Sequence, residues 1–453
     1  MAIPRGQLDP AQRVLAAGLV SGARGCVQEK TSAAPGLLRR AGSLCLDLID
    51  WSCRFRFALV LYALIPERMR KSIRRWLGRI ARTSSLGINL VGYARGEFGV
   101  AEILRRYVHT LQGSTVPFTV RNFDVGIASR QGDHSLHDLL SEEFRYEVNL
   151  FCINADQMPL VREHWGDAVF AGRYNIGCWF WELEKFPARW HGAIDWMDEI
   201  WVTSPFVREA IAACTPKPVH IVPVSLSVNL PRSYSRSEYG LADGVFLCLY
   251  SFDFNSFASR KNAQGAIAAF GRAFADGRRN VRLVIKTING ERHPDALRRL
   301  TDAAAHDERI EVRDRFLDRN EMWGLLACCD CYVSLHRSEG LGLGMAECML
   351  LGKPVVATAY SGNLAFMDAE NSCLVRYALV PVEEGEYPAW EGQHWADPDI
   401  DQAAAYLRRL ADDPAYARQV GEKAKASVRQ RFSVTTSLAA VMDRLVDIRA
   451  RQG

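Results

Sequence analysis

From residue 86 onward, short apolar runs alternate with stretches of helical period. The runs at 86–91, 150–153, 174–179, 199–202 and 219–222 predict strands, since brief unbroken apolar segments bounded by turn residues fit strands covered on both faces. Patterns with apolar residues every three or four positions, at 100–111, 190–197 and 206–213, predict the helices between them. Residues 230–240 are polar, rich in Pro and Ser and without apolar period, which predicts a linker over 231–243. The pattern restarts with predicted strands at 245–250, 281–286, 310–312, 331–335 and 355–357. The expected fold class is therefore α/β, with one half over 84–230 and a second over 244–430. Ligands bind at the carboxyl ends of parallel strands, so two such halves facing each other leave a cleft.

The second half contains Ser338-Glu339-Gly340-Leu341-Gly342-Leu343-Gly344-Met345-Ala346-Glu347, directly after a predicted strand and at the start of a helical pattern. A strand, a glycine loop and a helix start together hold phosphate, because glycine permits close approach and the first helical N–H groups have no internal partner. The two carboxylates are ill suited to phosphate but accept hydrogen bonds from neutral hydroxyls. Glu347 alone also fits the ordinary preference for acids near a helix start. Glu339 with alternating glycines does not. A diphosphate gripped by Gly340, Leu341, Gly342, Leu343 and Gly344, with a sugar at Glu339 and another at Glu347, describes a nucleotide-sugar.

Composition adds limits. A chain of 453 residues accommodates two domains of ordinary size, and 48% hydrophobic content is that of a globular protein. The 12 cysteines form no framework and several lie in apolar runs (Cys152, Cys178, Cys248), which predicts reduced core thiols and a cytoplasmic setting. Cys328 and Cys331 have Cys-x-x-Cys spacing but no second pair or nearby histidine, so buried thiols are expected rather than zinc. The net charge of +4 is unevenly placed: residues 1–83 carry 15 Lys or Arg against 5 Asp or Glu, a net +10, leaving −6 for the rest. Within them, Leu44, Leu48, Trp51, Phe55, Ala58, Tyr62 and Ile65 predict an amphipathic helix, followed by a basic one at 67–82. Charged residues interrupt the stretch, so it is a poor transmembrane span. Two readings stand: an element on an anionic membrane surface, or a helix packed on the enzyme with a solvated basic face. No aromatic–basic interleaving points to nucleic acid.

The glutamate–seven–glutamate motif resembles that of retaining glycosyltransferase family 4, whose architecture is GT-B. Further segments resemble a bacterial polysaccharide-assembly subgroup of it: the block ending Gly352-Lys353-Pro354, the loop after Asn89, Asn154 to Pro159, Phe180 to Pro187, and Ser361-Gly362-Asn363. The resemblance covers residues 85–430. It implies two Rossmann-like domains across a cleft, with the helical extension at the N-terminus as an addition and residues 431–453 packing back on the first domain. It implies a nucleotide-sugar donor, with GDP-mannose as the guess, a saccharide or lipid-linked saccharide acceptor in cell-surface polysaccharide synthesis, and no metal or cofactor. It further implies retention by same-face attack, with Glu339 on the sugar hydroxyls and Lys261 on the diphosphate. Many relatives carry an arginine six positions before that lysine. Asn255 stands there, so the charge is expected from Arg260 or from the other domain.

The remaining cleft candidates are Arg95, Gly96 and Gly99 on the first glycine-rich loop, with Glu97 beside them, and Asp156, Trp181, Glu182 and His336 at strand ends. By resemblance Glu182 stands where many relatives place a histidine against the donor sugar. Asp397-Pro398-Asp399 is an Asp-x-Asp by letters, in a late acidic loop far from the motif. One rival is an NAD-dependent nucleotide-sugar epimerase or dehydrogenase, which needs Gly-x-Gly-x-x-Gly and Tyr-x-x-x-Lys, neither present. Another is an inactive membrane-associated binding protein, against which Glu339 and Glu347 speak and for which Asn255 speaks.

Overall fold

The computed structural model describes residues 87–127 and 129–452. The amphipathic and basic segments predicted within 1–83 lie outside the described residues. Strands β1 (Ile88–Gly92), β2 (Phe118–Asn122), β3 (Val148–Cys152), β4 (Tyr174–Cys178), β5 (Glu199–Val202) and β6 (Val219–Ile221) form one sheet in the order β2-β1-β3-β4-β5-β6, parallel throughout. β1 and β3 are buried at every position, which accounts for their near-continuous apolar character. A polar ladder crosses the sheet interior: Thr119 donates to Asn89, Asn89 to Asn149 and Asn149 to Asn175, at 3.0, 2.9 and 2.9 Å. These residues are direct partners across adjacent strands, so a slip of any one strand would leave buried amides unpaired. β2 was not among the predicted strands; its sequence, Phe-Thr-Val-Arg-Asn, lacks an apolar run because it lies at the sheet edge.

Strands β7 (Phe246–Asp253), β8 (Val281–Ile288), β9 (Ile310–Asp314), β10 (Cys331–Ser334), β11 (Val355–Thr358) and β12 (Cys373–Val375) build the second parallel sheet, ordered β12-β11-β10-β7-β8-β9. Each sheet reverses its strand order once, between β1 and β3 in the first and between β7 and β10 in the second. Such reversal points open crevices at the carboxyl ends of the strands. The segment between the sheets is ordered against the second: Arg236 pairs with Asp330 at 2.7 Å, and Arg313 donates to the Tyr239 carbonyl.

Two elements join the lobes. The antiparallel hairpin of β13 (Tyr377–Pro381) and β14 (His394–Pro398) leaves the second sheet and buries Val382, Tyr387 and Trp395 among Trp179, Trp181 and Phe186 of the first lobe. The helix Val434–Gln452 packs on the first-lobe helix Gly99–Gln112. There Arg444 pairs with Glu199 at 2.5 Å, and Glu199, fully buried, also accepts from Trp201 Nε1 at 2.6 Å and the Tyr174 hydroxyl at 3.0 Å.

Removing one member of a buried pair leaves the other charged and desolvated. Arg444→Ala is therefore expected to cost about 3–5 kcal/mol, whereas Asp447→Ala, which removes an exposed partner of the same arginine, should cost under about 1 kcal/mol. Midpoints of urea unfolding read the difference; equal midpoints for the two variants would contradict this account of how the last helix is anchored.

Candidate active site

The crevices of the two lobes open onto one cavity of about 520 Å³, within the usual size for a small-molecule site. Glu339 follows β10 at the second reversal point and is 8% exposed. Its carboxylate lies between two cations from one short helical turn, Ala258–Lys261: Lys261 Nζ at 2.5 Å and Arg260 Nη1 at 3.1 Å. Arg260 also donates to the Ser338 carbonyl at 2.7 Å. Burial alone would raise the Glu339 carboxyl, but Lys261, Arg260 and His336 outweigh it and hold the group well below the usual carboxylate range. Burial lowers the Lys261 ammonium, with Glu339 opposing.

The glycine loop follows. Among the described residues, no backbone N–H from 340 to 344 has a hydrogen-bond partner, while Met345 N–H returns to the Gly342 carbonyl at 3.1 Å to start the helix Leu343–Leu350. Gly342 has φ +93°, and a Cβ there would stand 2.3 Å from Met345 Cε, so only glycine serves. The loop is braced from behind by Ser361, Gly362 and Asn363. Glu339 N–H donates to Ser361 Oγ at 2.8 Å, Gly362 N–H to the Glu339 carbonyl at 2.8 Å, and a Cβ on Gly362 would meet the Gly340 oxygen at 2.0 Å. From the first lobe, Ser204 caps the helix Pro205–Ala212 and donates its hydroxyl to the Gly340 carbonyl at 2.9 Å.

Of the residues named from sequence, the cavity brings together Glu339, Lys261, Arg260, Asn255, Gly340, Leu341, Gly342, Leu343, Gly344, Gly99 and Glu182, and Glu97 with them. Among the described residues Asn255 Nδ2 and Arg260 Nε are buried without a hydrogen-bond partner, so two unused donors stand in the wall.

Other expectations are corrected. Trp181 is 3% exposed in the first-lobe core, its Nε1 bonded to the Lys185 carbonyl; extended backbone past β4 turns Trp179 and Trp181 inward, and Phe180 and Glu182 line the cavity instead. His336 is fully buried behind the loop, with ring nitrogens 3.0 Å from Ser334 Oγ and 3.2 Å from Asn363 Oδ1; burial lowers its pKa, and it does not line the cavity. Gly96 gives its carbonyl to Arg105 at 2.9 Å, and a Cβ there would strike Phe98. Arg95 faces a small hollow with Asp133 and His134, and Asp156 a separate 220 Å³ recess with Tyr93 and Gln157. Glu347 lies outside the cavity lining and accepts from Trp323 Nε1 at 3.1 Å, with Arg106 Nη2 at 3.6 Å. Burial raises its carboxyl, opposed by Arg106 and the Trp323 bond.

Two residues at the site are absent from the sequence-based expectations: Tyr387, whose hydroxyl donates to Glu182 Oε2 at 2.7 Å from the β13–β14 arm, and Ser204. Ser204-Pro205 is a readable helix start; nothing local marks Tyr387. Asp397 of the Asp-x-Asp letters pairs with Arg337, and Asp399 caps the helix Ile400–Asp412.

Comparison with known proteins agrees with this architecture. A family model described as "Glycosyl transferases group 1" matches residues 253–383. Trehalose synthase of Pyrococcus horikoshii is 27% identical over 115 residues, 25% of this chain and 22% of that protein, so the match takes in only a fraction of the relative's length. Among solved structures, Anabaena HepE in complex with UDP and glucose aligns with TM-score 0.55 at 17% identity over 80% of this chain and all of that one. Sucrose-phosphate synthase of Thermosynechococcus elongatus aligns with TM-score 0.57 at 14% identity over 81% of this chain and 100% of that chain. The fold is GT-B: two Rossmann-like α/β lobes facing across a cleft.

The ion cluster makes a pH prediction. Because the folded Glu339 pKa lies below its unfolded value, the stability it contributes is present above about pH 5 and is lost as pH falls through and below the unfolded value of about 4.3. Glu339→Gln should therefore lose less stability than the wild type between pH 6 and pH 3, read as urea midpoints at each pH. Parallel curves would show that Glu339 is not held as an ion between its cations.

Proposed function

We propose that the chain is a retaining glycosyltransferase that moves a hexose from a nucleotide-diphospho-sugar to a saccharide or lipid-linked saccharide acceptor. The observation that carries this reading is the loop 340–344, whose amides have no partner among the described residues and whose residues line a cavity shared with Lys261 and Glu339. In such a transfer the bond from the anomeric carbon to the diphosphate oxygen breaks, and a bond to the acceptor oxygen forms. The acceptor's proton passes to the departing phosphate on the same face. Negative charge grows on that phosphate, where the loop amides, Asn255 Nδ2 and Lys261 donate to it. Positive charge grows on the sugar, whose hydroxyls give hydrogen bonds to Glu339. Glu339 is a poor covalent nucleophile, since Lys261 and Arg260 already occupy its oxygens.

A UDP-sugar is favoured over GDP-mannose as donor, on the strength of the UDP and glucose complex of the Anabaena relative. The acceptor belongs to the first-lobe side, where the 220 Å³ recess beside Asp156 adjoins the main cavity through Phe98, Val100 and Asn154. The basic character of residues 1–83 fits work at an anionic membrane surface, and no described helix is long and apolar enough to cross a membrane.

A panel of nucleotide-sugars tests the donor. The true donor at 100 times its Kd should stabilise the folded chain by about 2.7 kcal/mol, and Glu339→Gln should cut turnover at least about 100-fold, the loss seen when one such polar contact to a transition state is removed. No stabilisation by any member of the panel, or full turnover by the variant, would overturn the reading. For the surface role, deletion of residues 1–83 should abolish co-sedimentation with anionic vesicles; unchanged sedimentation would refute it.

A further inference from the structure

The arm over residues 377–398 reaches from the second lobe to the cavity wall of the first. Its root is tied to the motif: Ala396 N–H donates to the Arg337 carbonyl at 2.9 Å, and Arg337 pairs with Asp397 at 3.1 Å. Its far part is tied to the first lobe. Trp395 is fully buried there, Gln393 and Lys185 exchange two hydrogen bonds of 3.1 and 2.6 Å, and Lys185 Nζ donates to the Gly392 carbonyl at 2.9 Å.

In the loop between the two strands of the arm, the Tyr387 ring packs 5.6 Å from Trp181 and 4.9 Å from Phe257, and its hydroxyl binds Glu182 Oε2. Among the described residues Glu182 Oε1 has no hydrogen-bond partner, and Glu182 lines the cavity close to Gly340, its Oε1 3.6 Å from where a Cβ on that glycine would lie. The tyrosine thus fixes one oxygen and leaves the other to the cavity. Phe257, at φ +64°, holds a bulky residue in a left-handed conformation that is rarely tolerated, immediately before the turn that carries Arg260 and Lys261. Both cations are engaged by Glu339, and Glu182 is the second acid near them.

Resting on the nucleotide-sugar reading above, we infer that Glu182 is a specificity residue of the sugar subsite, positioned by Tyr387 on the arm, and that it admits neutral hexoses while rejecting hexuronates. A hexose places hydroxyl donors against Glu182 Oε1 and Glu339, and carboxylate oxygens accept them. A hexuronate carries a carboxylate into a wall that already holds two, where Lys261 Nζ and Arg260 Nη1 are paired with Glu339 and only Arg260 Nε is left to answer it, and like charges so placed select against a ligand. Tyr387 acts through Glu182: without its hydroxyl the carboxylate is free to turn, and discrimination weakens although the nucleotide end of the site is untouched.

The full-length protein is titrated with UDP and GDP as sugar-free controls, and with the matched pairs UDP-glucose with UDP-glucuronate and GDP-mannose with GDP-mannuronate. The wild type should bind the neutral member of the pair at least tenfold more tightly than the acidic one. Glu182→Gln should bring the ratio within about threefold, and Tyr387→Phe should lower it by an intermediate factor, with affinity for the sugar-free nucleotide kept in both. Melting temperatures identify any variant that has lost its fold, and Tyr387→Phe, which keeps the ring packing, stands as the second variant. A wild type without preference, or a ratio unmoved by Glu182→Gln while the sugar-free nucleotide still binds, would overturn the inference alone. Failure of every nucleotide to bind the wild type would instead overturn the nucleotide-sugar reading, and this inference with it.

Discussion

A carboxylate must be kept ionised and nearly dry at the end of a parallel strand, and much of the second lobe is arranged around that requirement. An isolated buried carboxylate would be protonated rather than charged. Arg260 and Lys261 prevent this, and they reach Glu339 only because the turn Ala258–Lys261 starts from Phe257 at φ +64° and ends at Asn262 at φ +50°. Ser361, at φ +75°, and Gly362, with no room for a side chain, hold the backbone on the other side. Unfavourable backbone conformations on both flanks persist because the ion pairs and loop hydrogen bonds over-determine them.

Among the contacts that hold the first lobe against this site, two are unlike in kind. On one side, the arm buries Val382, Tyr387 and Trp395 in the first-lobe core. On the other, Arg319 from the second lobe reaches Glu102 at 2.5 Å and Asp133 at 3.4 Å, with 39% of its own side chain exposed. Salt weakens exposed ion pairs and leaves buried apolar contact largely untouched. The side of the cavity that Glu182 lines is therefore bounded by the more durable of the two contacts.

The parts of this arrangement that were legible in the sequence are those with local causes. Alternating glycines before a helix announce a loop whose amides are free, and buried parallel strands announce themselves as apolar runs. Errors arose where the cause was distant or a single residue decided the face. Trp181 and Glu182 are neighbours at a strand end, and extended backbone sends them to opposite sides; the aromatic went to the core and the acid to the cavity. His336 looked available beside the motif, yet the second loop at Ser361–Asn363 covers it. Glu347 was read from its spacing to Glu339, but its surroundings come from Trp323 and Arg106, neither of which the motif predicts. The arm reads as a polar, acidic stretch because most of its surface is solvated, and its partners lie about two hundred positions earlier, beyond any local pattern.

The substitution at Asn255 fits the charge balance around Glu339. Two cations and two carboxylates, Arg260 and Lys261 with Glu339 and Glu182, already cancel. Both cations are already paired with Glu339, so on the proposed reading the diphosphate draws on neutral donors beside Lys261: the amides of 340–344 and Asn255 Nδ2, which is buried with no partner among the described residues. Neutral donors aimed at one place bind an anion without needing a counter-charge when the site is empty, and they need not reorganise as charge develops on a leaving group. An arginine at 255 would put a third cation into the wall that already holds Arg260 and Lys261, and like charges lining one empty site disfavour one another. Asparagine keeps a donor there without the charge and leaves the balance of two cations and two carboxylates undisturbed.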